Sequence, residues 1–182
     1  MNPEKFSTIT AALLSSSAAS LKQEVLKVAT INDLFELANR VEDARICFKA
    51  SWALEHILLS EKKLLLSYAT PSIEAFLKNS NWSALRSITK LIMELLSLNY
   101  PLTQEQEEMI INKTYDILED SECPIAVRCN GYDILYYLSV KHYWLIDELK
   151  NKMQLDIEKN QSAALVSRSK SIYKKLKRIS NS

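Results

Sequence analysis

Residues 124–138, PIAVRCNGYDILYYL, decide the fold. Pro124 supplies a helix start, and Val127, Gly131, Ile134, Leu135 and Leu138 then recur three and four residues apart, which puts them on one helical face. Gly131 is the chain's single glycine. Inside a helix it costs about 1 kcal/mol against alanine, so its expected purpose is the close approach of a neighbouring helix.

The same pattern occurs twice upstream. Residues 43–59 carry Ile46, Ala50, Ala53, Leu54 and Ile57, and residues 82–98 carry Leu85, Thr89, Ile92, Met93 and Leu96. Successive copies lie about 40 residues apart, the period of stacked helix pairs. Set in register, Cys47, Arg86 and Arg128 form one column, and Arg168 extends it.

Partner helices are expected at 71–78, after a break at Thr70, and at 103–120 and 143–158. Thr103 with Gln106 forms a capping box, and Glu105, Glu107 and Glu108 stand where the helix dipole favours acids. Before the repeats, Asn2 and Pro3 open a short helix to about Leu14. Leu21, Val25 and Val28 line a second. A third starts at Thr30 or Asn32 and buries Leu34, Phe35, Leu37 and Ala38. The last helix, 162–179, turns Leu165, Ile172, Leu176 and Ile179 inward. Its outer face carries Arg168, Lys170, Lys174, Lys175, Lys177 and Arg178, without an acid.

Composition agrees with an all-α class. One glycine and four prolines in 182 residues are too few for a fold built on tight turns, and no alternating apolar run predicts a strand. With 47% apolar and 25% charged residues the chain reads as soluble and globular. A net charge of +1 gives no global attraction to nucleic acid or acidic membranes. No run approaches the roughly 20 apolar residues of a membrane span. Cys47, Cys123 and Cys129 form an odd set without a CxxC, which points to a reducing compartment, read as the cytoplasm.

Val127-Arg128, followed by Gly131 and the pair Ile134-Leu135, resembles the second helix of a HEAT repeat. That resemblance implies an armadillo-type architecture, a right-handed α-solenoid of antiparallel helix pairs. It would form one domain over 1–182, with N-terminal capping helices at 1–42, repeats at 43–158 and a basic C-terminal capping helix at 159–182. It also implies a non-catalytic scaffold whose concave face holds a protein partner, with no cofactor. A nucleic-acid-binding alternative comes from the HEAT-like alkylpurine DNA glycosylases, which use tryptophans and an arginine on a concave surface. No segment here reproduces their catalytic context.

The ending, Tyr143-Trp144-Leu145 leading into Glu148-Leu149 and then a basic helix, is similar to small bacterial HEAT-like proteins that often carry the label adenylosuccinate lyase. The glycine- and serine-rich signature loop of that lyase superfamily does not occur in this chain, so lyase activity stands as a distant third reading.

His56 and His142 stand alone, without metal-ligand spacing, so neither a metal nor a catalytic residue is expected. Cys123 precedes a helix start, where a dipole can activate a thiol, although a small packing cysteine is the plainer reading. Arg86, Arg128 and Arg168, with Trp82 and Trp144, are the candidate binding residues. The arginines could form a basic ladder along one surface, or each could pair with a carboxylate of a neighbouring repeat. Trp52, Trp82 and Trp144 are expected in the core unless one faces a ligand.

Overall fold

A computed structural model describes residues 1–17 and 19–179, the last of these without its side chain. Among the described residues there are eleven α-helices and no strand. In chain order they are α1 (Pro3–Ser15), α2 (Leu21–Val25), α3 (Ile31–Ala38), α4 (Ala44–Leu59), α5 (Lys62–Ser67), α6 (Ala69–Lys78), α7 (Trp82–Ser97), α8 (Gln104–Glu119), α9 (Ile125–Ser139), α10 (Leu145–Lys159) and α11 (Ala163–Ile179). None of them is long and apolar enough to cross a membrane. The chain gathers into two compact units, Met1–Leu95 and Leu96–Ser182.

Local chemistry sets several helix starts. Asn2 accepts a hydrogen bond from the Lys5 N–H, with Pro3 in the first turn of α1. Thr30 and Asp33 form a reciprocal capping box on α3, and Thr103 and Gln106 form one on α8. Asp43 caps α4 through the Ile46 N–H. Asn99, at φ 54°, takes the left-handed conformation that ends α7, which asparagine tolerates better than most residues.

Three boundaries differ from the expected ones, one of them the helix expected at 143–158, which begins only at Leu145. Residues 62–67 form α5, and the break falls at Tyr68, so that Pro71 lies within the first turn of α6, where its missing N–H costs nothing. Leu64, Leu65 and Leu66 in sequence show no period. Only Leu65 is buried, and Leu66 is exposed. In the second helix, Val25 is buried, while Leu26 is exposed and Val28 lies beyond the helix end.

In the first unit, α4 is the central element, packed against α1, α2, α3 and α5, while α6 packs on α3 and α5. Asp33 on α3 ties down α1: it accepts from Lys5 Nζ at 2.7 Å, and from the Thr30 N–H and hydroxyl at 2.8 and 2.7 Å. Burial pushes its carboxyl up, but the bonds from Lys5 and Thr30 outweigh this and hold it down at about 2, from an ordinary 3.8. A lowered carboxylate stabilises the fold above its unfolded value, and that stability is lost as pH falls from 3.8 through about 2. Asp33→Asn should therefore lower neutral-pH stability by roughly 2 kcal/mol. The gap between the variant and the parent in urea unfolding should close across that pH window.

In the second unit, α9 is central, packed against α8, α10 and α11, and α10 packs on α11. Gly131 is buried where α8 meets α9. A Cβ there would lie 3.0 Å from Leu118 Cδ2, 3.3 Å from its Cγ and 3.4 Å from Thr114 Cγ2. The glycine is thus explained by helix approach. Alanine requires only a small shift of a flexible leucine tip, and its better helix propensity offsets that shift. Leucine cannot fit, and Gly131→Leu should lower stability by roughly 1 to 3 kcal/mol in a denaturant titration.

α11 turns Leu165, Ile172 and Leu176 fully inward, as expected of its apolar stripe. The inward placement expected of Ile179 lies outside the described residues.

Candidate functional site

The candidate arginines and tryptophans are divided between the two units. Trp82 and Arg86 are neighbours four residues apart on α7, the first half-buried and the second exposed. Arg128, Arg168 and Trp144 belong to the second unit.

Arg128 and Arg168 are held by carboxylates of their own unit. From the first turn of α9, Arg128 Nη1 donates to the Leu118 carbonyl at 2.6 Å and to Asp156 Oδ2 at 3.0 Å. Its Nη2 donates to the Asp120 carbonyl at 2.8 Å. The guanidinium thereby ends α8 and joins it to α10, with its side chain 11% exposed. Arg168, on α11, donates to Asp133 Oδ2 on α9 at 2.6 Å, and Lys175 Nζ lies 3.7 Å from the other oxygen. Burial pushes the Asp133 carboxyl up, against the pull of Arg168 and Lys175.

Asp156 is the acid that composition hid. It lies 5% exposed on α10, accepting from Arg128 and, at 2.6 Å, from the Tyr132 hydroxyl, with Lys152 Nζ 3.2 Å away. Burial and this hydrogen bond push the Tyr132 phenol well above its ordinary value and keep it a donor. Position in the chain carried a signal for Asp156. It continues the inward stripe Leu145, Leu149, Met153 at helical spacing, and a carboxylate in such a stripe must find partners.

The tryptophans take different environments. Trp52 is half-buried, with His56 edge-on at 4.9 Å and Lys49 Nζ 4.9 Å from the ring centre. Trp144 is 57% exposed, beside Tyr143 at 67%, in the short link between α9 and α10. Val140, also exposed, precedes them.

That link is anchored from below. Glu107, buried in the first turn of α8, accepts from Lys141 Nζ and lies 2.8 Å from His142 Nε2. Burial pushes the Glu107 carboxyl up, but the bonds from Lys141 and His142 outweigh it and leave it below the usual range. A groove of about 390 Å³ runs alongside, with Tyr100, Leu102, Tyr137 and Val140 on its walls. Asp147 and Glu148 are exposed just beyond Trp144. The sequence marks Trp144 but not its setting, because nothing local links Glu107 to residues 34 and 35 positions away.

No thiol is activated. Burial pushes Cys123 up to about 11, so the helix start beside it confers no reactivity, and burial raises Cys47 and Cys129 as well. Among the described residues, no group of three histidine, cysteine or acidic side chains converges to hold a metal. No protein-family model, curated protein or solved structure matches the chain.

Proposed function

We propose that the chain is a protein-interaction module of HEAT-like helix pairs that grips its partner through the corner at residues 140–144. The observation that carries this reading is the exposed pair Tyr143 and Trp144 on a link fixed by buried Glu107. Aromatic anchors dominate the energetics of protein interfaces, and a link already held in place loses little freedom on binding. Asp147 and Glu148 beside the aromatics repel phosphates and favour a partner with an apolar pocket and a basic rim.

The repeat arrangement draws support from the three aligned helices α4, α7 and α9. Every position of their shared pattern is buried except Met93 and Leu96, and the small column Ala50, Thr89, Gly131 is buried throughout. Three free, buried cysteines suit a reducing compartment such as the cytoplasm.

Nucleic acid is the second reading, and it draws on the outer face of α11, where Lys170, Lys174 and Lys177 flank Tyr173. Lyase activity gains no support from the histidines, since His56 packs against Trp52 and His142 is tied to Glu107.

Pulldown from nuclease-treated extract tests the choice. The parent protein should retain a partner that the double variant Tyr143→Ser, Trp144→Ser loses and the double variant Lys170→Ser, Lys174→Ser keeps. Capture that disappears with nuclease, or that needs the lysines and not the aromatics, would transfer the function to nucleic acid.

A further inference from the structure

Two outward faces of the Leu96–Ser182 unit complement each other. On α8, Glu105, Glu108, Asn112, Asp116 and Glu119 are all exposed and recur at three- and four-residue spacings, so they share one face about 21 Å long. Met109, 43% exposed, stands among them. On α11, a helix without an acid, Lys170, Lys174 and Lys177 are exposed and line a hollow of about 550 Å³ together with Tyr173. The Tyr173 hydroxyl donates to the Lys150 carbonyl at 3.0 Å, which fixes the ring. Both helices turn their buried stripes to α9, so these outer faces cannot meet within one chain.

Local helix chemistry accounts for only part of the acidic face. The start of α8 favours Glu105 and Glu108, but Asp116 and Glu119 occupy its last turn, where the open carbonyls favour cations and no basic residue is present. The buried carboxylates of the unit, Glu107, Asp133 and Asp156, are all paired inside it. Among the described residues, Glu105, Asp116, Glu119 and the three lysines have no ion pair, and Glu108 accepts only from the Gln104 amide at 2.9 Å.

We propose that the α8 face of one copy docks on the α11 face of a second copy, with Met109 seated against Tyr173 and the acids paired with Lys170, Lys174 and Lys177. An apolar centre within a polar rim is the anatomy of a protein interface, and a thioether beside an aromatic ring is a favourable contact. The lysine run, about 10 Å long, fits within the acidic one. Each copy offers both faces, so the contact is head-to-tail and builds a ring or an open chain. It uses none of residues 140–144.

The test is sedimentation velocity of the full chain across a concentration series, at about 50 mM and about 500 mM salt. The sedimentation coefficient should rise with concentration at low salt and stay monomeric at high salt. The double variants Lys170→Glu, Lys174→Glu and Glu105→Lys, Asp116→Lys should each stay monomeric alone, and their equimolar mixture should associate again. Met109→Ser, which leaves every charge in place, should weaken the parent's association about tenfold. All of these positions but the first turn of α8 lie on exposed helix surface, and circular dichroism should stay that of the parent. A parent that is monomeric at low salt, association that survives either charge reversal, or association indifferent to Met109→Ser would overturn the proposal. So would a monomer that binds a single-stranded oligonucleotide through Lys170 and Lys174, since that assigns the lysine face to nucleic acid.

Discussion

Deleting the chain from Ser162 onward should leave the second unit unable to fold. α11 buries Leu165, Ile172 and Leu176 completely against α9 and α10. Each fully buried aliphatic side chain contributes roughly 1.5 to 3 kcal/mol, so three approach the whole stability of a small domain. The deletion also removes Arg168 and Lys175 from Asp133, a carboxylate only 2% exposed, which would then be buried without them or take up a proton. The expected result is aggregation in size-exclusion chromatography and loss of helical circular dichroism beyond that of the deleted residues. A monodisperse truncation with the parent's melting temperature would show α11 to be a detachable arm, its lysines free to serve as a binding tail.

Asp156→Ala is expected to be the most damaging single substitution, at roughly 3 to 5 kcal/mol, because it removes one partner of a buried ion pair. Arg128 retains the Leu118 and Asp120 carbonyls but loses its counter-charge, and the fully buried Tyr132 hydroxyl loses its acceptor. For a unit of this size the melting temperature should fall by more than about 10 °C. Asp156→Asn keeps an acceptor oxygen and should fall between. In a double-mutant cycle, Tyr132→Phe should cost much less when combined with Asp156→Ala than alone, since the hydroxyl it removes is by then unpaired. Equal costs on the two backgrounds would mean that the bond between Tyr132 and Asp156 stabilises nothing.

The helices were legible where period and cap agreed. Thr30, Asp43 and Thr103 each mark a start because a side-chain oxygen satisfies an N–H that the helix leaves open, and that requirement is local. Gly131 was legible too, since a lone glycine within a helical period needs a packing reason and Leu118 supplies it. α5 was hidden because three successive leucines point in three directions and show no face.

The site was harder to read for the same reason in reverse. Ion pairs between Arg128 and Asp156, Arg168 and Asp133, and Lys141 and Glu107 span 28, 35 and 34 residues, and a register of arginines predicts a column without saying what it meets. Whether Trp144 faces solvent depends on where the link between two helices is held, and that is set by Glu107. Trp52 and Trp144 both looked like core residues in the sequence. One lies along a helix flank beside His56, and the other is 57% exposed in the link between α9 and α10.

If a partner lands on the corner at 140–144, hydrogen exchange on the protein with and without its captured partner will show where it sits. Protection on binding should be confined to the amides of residues 140–148 and the first turn of α8 around Glu107, with the outer face of α11 unchanged. Protection along Lys170, Lys174 and Lys177 while the corner exchanges as in the free protein would place the partner on α11 instead.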